Sequence, residues 1–171
     1  MAMTVKNRAD ALGTFRYVEV RLMEITSGWT PTTPEMEVKV MFGRHIWEHA
    51  QAADAIGKRT FELRQPEHYT LRPSDGYASV IEEAAGASAT AERITALYDI
   101  VIPGLIARYR GYLANTDALL DAPSVVIIDR IIAVHERQLA DAHAVREGMS
   151  IEAASMPALR ERENAVAGIV A

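Results

Sequence analysis

The 171-residue chain contains no cysteine, which excludes disulfides, a thiolate metal site and a cysteine nucleophile. Aromatic residues make up only 6%, and the apolar–polar alternation of half-buried strands is scarce. No apolar run approaches the ~20 residues of a membrane-spanning helix. The opening Met-Ala-Met-Thr-Val-Lys-Asn-Arg leads into a polar, charged stretch and lacks the apolar core of a signal peptide. There is no Gly-rich phosphate loop, no Gly-x-Ser-x-Gly elbow and no dinucleotide fingerprint. Nor is there a basic excess. The net charge is −5, with 10 basic residues against 12 acidic ones up to Gly86 and 8 against 11 after it. A nucleic-acid surface is therefore not expected. What remains, with 49% apolar residues, is one soluble domain large enough to bury a core. It is expected in the cytoplasm, with no membrane partner.

The dominant period is that of the α-helix. From about Val5 to Ser27, the residues Leu12, Phe15, Val18, Leu22 and Ile25 recur at spacings of three and four and mark one helix face. Gly28, Pro31 and Pro34 interrupt it. Thr33 is placed to cap a second helix with Pro34 in its first turn. That helix extends to about Leu63, with Val38, Met41, His45, Glu48 or His49, Ala52 and Ile56 inward. Residues 64–86 read as a long connection holding a short apolar piece from Ala78 to Ala85. A third helix spans about Ser88 to Asn115, with a kink or break expected at Pro103-Gly104. Asp121 caps a fourth helix that carries Val125, Ile128, Ile132, His135, Leu139 and Ala142 inward and ends near Gly148. Ser150 is placed to cap a short last segment, weakly amphipathic from Ala158 to Ala171. Two helix pairs joined by one long link predict an all-α four-helix bundle with a crossover. Gln51-Ala-Ala-Asp54-Ala55 on the second helix echoes Gln138-Leu-Ala-Asp141-Ala142 on the fourth, a hint of duplication.

Polar residues interrupt these apolar faces. His45, Glu48 and His49 lie three and four residues apart and share one side of the second helix. His135 and Glu136 sit on the fourth helix, and Glu19 lies one turn from Phe15 and Leu22 on the first. A buried carboxylate is costly without a partner, so the cluster points to a site in the bundle core. Imidazole and carboxylate suit iron, manganese or zinc. The candidate ligands are Glu19, His45, Glu48, His135 and Glu136, with the membership of His49, His143 and Asp129 left open. Tyr98, Tyr109 and Tyr112 read as bundle packing, or as hydrogen-bond donors beside a metal.

The stretch Glu37-Val-Lys-Val-Met-Phe-Gly-Arg-His-Ile-Trp-Glu48-His49-Ala-Gln-Ala-Ala-Asp54-Ala-Ile-Gly-Lys-Arg, followed by Phe61-Glu-Leu-Arg64, resembles uncharacterised bacterial proteins of the ferritin-like superfamily. The similarity spans about residues 10–148. It implies a di-iron site with Glu on the first and third helices and Glu-x-x-His on the other two. Glu19 matches the first glutamate and Glu48 the second, but Gln51 stands where the histidine belongs, and His45 comes a turn early. Glu136 matches on the fourth helix, with Leu139 in the histidine position. The third helix offers Asp99 and no well-placed Glu. A weaker similarity is to DinB-like bundles, whose three metal-binding histidines appear here in a different order.

Two functions follow as expectations. One is an iron- or manganese-dependent oxidoreductase acting on a small molecule. The other is a metal-free bundle that binds a small ligand or protein partner, or a non-redox enzyme using a buried His/Glu pair. Ile46, Trp47, Val126, Ile127 and Ile131 widen the apolar surface beyond one stripe. A two-fold homodimer is expected to cover that surface, with the tail as the alternative cover.

Overall fold

Thr4 starts the first helix: its hydroxyl accepts from the Asn7 N–H at 3.1 Å, satisfying one of the donors every helix start leaves free. In this computed structural model, which describes residues 3–168, that helix, α1, spans Val5–Trp29. Helix α2 spans Met36–Glu62 and α3 spans Asp75–Ala85. Helix α4 covers 90–115 in three stretches, α-helical over Thr90–Ile94, π-helical over Thr95–Val101 and α-helical again over Ile102–Asn115. Helix α5 spans Ala122–Gly148 and α6 spans Pro157–Ala165. There is no strand among the described residues, and none of these helices is long and apolar enough to cross a membrane. The last residues of the expected tail, 169–171, lie outside the described residues.

Apolar periodicity accounts for the inner faces. Leu12, Phe15, Val18, Leu22 and Ile25 of α1 pack in the core with Val38, Met41 and Ile56 of α2 and Ile128 and Ile132 of α5. Cross-links between side chains set the directions. Arg44 meets Asp141, Arg137 meets Glu48 and Arg59 meets Asp121, so α2 and α5 run antiparallel. Glu19 meets Tyr109 and Trp29 meets Arg93, so α1 and α4 do too. The short links 30–35 and 116–121 make α1 antiparallel to α2 and α4 to α5.

Several boundaries differ from expectation. Thr33 does not cap α2. Its hydroxyl donates to the Trp29 carbonyl at 2.9 Å and accepts from Arg93 at 2.8 Å, so the helix begins after Pro34 with Met36. The apolar piece in the long connection is a full helix, α3, burying Tyr77, Ala78, Val80, Ile81 and Ala84. Pro103 does not break α4. It cannot donate to the Asp99 carbonyl, and the widened π turn absorbs the mismatch while Arg160 of α6 donates to that carbonyl at 3.2 Å. Ser150 is not a cap. It takes a left-handed backbone, φ 54°, and residues 151–156 run without helix to Pro157. Among the described residues the tail does not cover the outward apolar residues of α2 and α5 either. Helix α6 instead packs on α3 and the π turn, with Leu159 buried.

Candidate metal centre

Three helices deliver one group each to a single buried point. Glu19 of α1 is four residues after Phe15 and three before Leu22, which turns it into the core with them. His49 of α2 is one turn after His45, and His135 of α5 is one turn after Ile132. Their exposures are 0%, 0% and 1%. One ligating atom from each can be chosen so that all lie within 4.8 Å of one another. His49 Nδ1 is 2.7 Å from Glu19 Oε2, His135 Nε2 is 2.8 Å from Glu19 Oε1, and the Tyr109 hydroxyl donates to the same Oε1 at 2.6 Å.

The charge states follow from the partners. Burial by itself raises a carboxyl pKa, but the His135 charge and the hydrogen bonds from His135 and His49 hold Glu19 far below the usual carboxylate range. Burial and the Glu19 charge push the Tyr109 phenol well up, so it donates. His135 is bound on both sides. Its Nδ1 is 2.9 Å from Gln138 Oε1, while Gln138 Nε2 donates to Glu48 Oε2 at 2.9 Å. Glu48, held ionised by Gln138 and Arg137 against the cost of burial, accepts only. The amide must therefore turn its N–H₂ to Glu48 and its oxygen to His135. Both ring nitrogens of His135 then donate, and the ring is an imidazolium. Burial opposes that charge, and Glu19 and Gln138 overcome it, raising the pKa.

His45 stands just outside this group. Its Nδ1 is 2.7 Å from the Tyr98 hydroxyl in the π turn, and its Nε2 is 3.4 Å from Asp141 Oδ2. Burial lowers its pKa to about 4, so it is neutral and accepts from the phenol, whose own pKa burial pushes up. Glu48 lies at the rim, paired with Arg137 at 2.6 Å. Glu136 is not brought to the centre. One residue past His135, it is turned by about 100°, sits half exposed and pairs with Arg110. His143 and Asp129 are exposed. Asp99 faces Arg146 at 2.9 Å.

The donor set accommodates a cation. Two imidazoles and a carboxylate suit a divalent transition ion, and His49 Nε2 is buried without a hydrogen-bond partner, a costly state for a ring nitrogen. His135 reaches a ligating form by losing its Nε2 proton while Gln138 keeps hold of Nδ1, the outer hydrogen bond that fixes the tautomer and orientation of a metal-binding histidine.

Periodicity marked Glu19 and His135, left His49 open, read Tyr109 as packing or as a hydrogen-bond donor, and gave Gln138 no part. Gln138 had a signal. It lies three residues after His135, on the same face, in the segment echoed at Gln51. No protein-family model matches the chain, and no curated protein or solved structure is similar to it in the same comparisons.

Proposed function

We propose that the chain is a ferritin-like helical bundle whose Glu19–His49–His135 centre holds one divalent metal ion, iron or manganese, for oxidation of a small molecule with dioxygen as the oxidant. The fold assignment is supported by the order of the long helices. Each of two antiparallel pairs is closed by a short link, and a crossover of more than twenty residues joins them. One observation carries the metal reading: a carboxylate and two imidazoles, far apart in sequence, converge with no exposed surface. A single ion fits better than two. The further carboxylates that a second ion needs are engaged elsewhere, Glu48 with Arg137 and Gln138 and Glu136 with Arg110. Iron or manganese bound there would supply redox chemistry. The chain's own residues hold and orient it: Gln138 sets the His135 tautomer, Glu48 sets Gln138, Tyr109 steadies Glu19, and the packed helices keep bulk water out.

Elemental analysis of protein purified without chelator, then reconstituted anaerobically with Fe(II) or Mn(II), tests this. About one equivalent is expected, lost in His49→Gln and His135→Gln, and less than about one tenth overturns the reading.

A second reading has its own support. The Glu19, His135, Gln138 and Glu48 chain closes as hydrogen bonds and a buried ion pair without a cation, which is what a metal-free ligand-binding bundle would retain. A homodimer through the outer face of α2 and α5 is the rival use of the exposed Trp47 and Val126, and a solution mass of about 38 kDa that Trp47→Ala halves is the result that would favour it.

A further inference from the structure

Trp47 and Val126 are 65% and 68% exposed on two helices that face each other. They stand at opposite ends of one groove between α2 and α5. Its volume is about 730 Å³, within the range of small-molecule sites. It is bounded along α2 from Trp47 to Lys58, about 16 Å of helix. Ile127 and Ile131 line it, and Ala52, Ala55 and Ala133 keep it open by their small size. At the Trp47 end the groove reaches His135, a ligand of the centre.

The charges around the groove are unequal. Lys58 pairs with Asp54 at 2.7 Å and Arg137 with Glu48 at 2.6 Å. Arg130, also on the lining, has no hydrogen-bond or ion-pair partner among the described residues. The groove thus offers an apolar body site, an indole for a flat ring and one uncompensated guanidinium suited to a carboxylate. Arg130 precedes His135 by five residues, about 7 Å along the axis, a span that a bicyclic acid covers.

We infer that this groove binds an apolar organic monoanion of the aromatic carboxylate class, its anionic end on Arg130 and its ring system directed along Trp47 toward His135. This rests on the metal reading in one respect, that the bound acid is the centre's substrate. The occupant is a small molecule rather than a second copy of the chain, because a free cation over an apolar floor matches an acid.

Calorimetry on the full chain after chelation tests the inference with 2-naphthoate and the uncharged 2-naphthalenemethanol. Naphthoate is expected to bind one per chain and the alcohol about tenfold more weakly. Arg130→Ala should remove that preference, and Trp47→Ala should weaken both probes alike. Both positions are on the surface, so neither change threatens the fold. Absence of naphthoate binding overturns the inference, and so does a preference unchanged in Arg130→Ala. A dimer in solution that Trp47→Ala dissociates overturns it as well, since a second copy then fills the groove. The link to the centre is read separately on Co(II)-loaded protein, whose visible absorption should change when naphthoate is added. An unchanged spectrum removes the assignment as substrate. Failure to load any metal while naphthoate still binds sinks the metal reading alone, and loading without naphthoate binding sinks only this inference.

Discussion

His135 Nε2 lies 2.8 Å from Glu19 Oε1, joining residues 116 positions apart with neither open to solvent. Each makes the other's charge tolerable. The carboxylate holds the ring protonated, and the ring holds the carboxylate ionised. The gain over apolar packing is small for such a pair, but removing one partner strands the other.

Glu19→Gln is therefore expected to destabilise the metal-free protein by about 3 kcal/mol, measured by urea unfolding at neutral pH. The double variant Glu19→Gln with His135→Gln should recover part of the loss, because no charge is then stranded. Additive losses would mean that the two residues do not act as a pair.

Gln138→Leu removes the outer hydrogen bond on His135 Nδ1. Metal affinity should fall by about 10–100-fold with stoichiometry unchanged. Competition against a chelator of known affinity measures it. In the metal-free wild type, nitrogen NMR should show both ring nitrogens of His135 protonated at neutral pH. A neutral ring there would contradict the amide orientation that Glu48 imposes.

The metal-free protein should be most stable near pH 6.5, where the windows of His45 and His135 meet, with Glu19 acting only at lower pH. His45 has its folded pKa lowered from 6.5 to about 4, so as pH falls through that window the unfolded chain gains a proton that the fold refuses. Stability drops there by about 1.4 kcal/mol per pH unit. His135 is raised above 6.5, so its contribution is complete below 6.5 and fades as pH rises through the folded value. Glu19 is depressed below 4.5, so its contribution is complete above 4.5 and fades below. Unfolding free energy against pH tests this, and His45→Gln should flatten the acid side between pH 4 and 6.5.

Gly104→Ala is expected to loosen α6. A Cβ at that position meets the Glu163 carboxylate and lies 2.8 Å from Arg108 Nη1, the two groups whose ion pair ties α6 to α4. A loss of about 1–3 kcal/mol is expected, with faster amide exchange in Pro157–Ala165. Gly111→Ala, whose Cβ meets nothing within 4 Å, is the control and should be neutral or slightly stabilising.

The chain's own periodicity determined four long helices, their inner faces and the burial of Glu19, His45 and His135, because a 3.6-residue repeat assigns each position a direction before any partner is known. Glu136 shows the limit of that reading. It is adjacent to His135, but 100° of rotation per residue turns it outward to Arg110. Helix α3 carries a weak local signal because its eleven residues hold a glycine and follow two prolines, Pro66 and Pro73, and two left-handed residues, Arg64 and His68. Tertiary structure alone decided which of the two buried histidines of α2 reaches Glu19. Both lie on the inner side, one turn apart, and only the heights of α1 and α5 against α2 bring His49 to Glu19 at 2.7 Å and leave His45 to Tyr98. Those heights depend on links and packing contacts between residues distant in the chain, which no local repeat encodes.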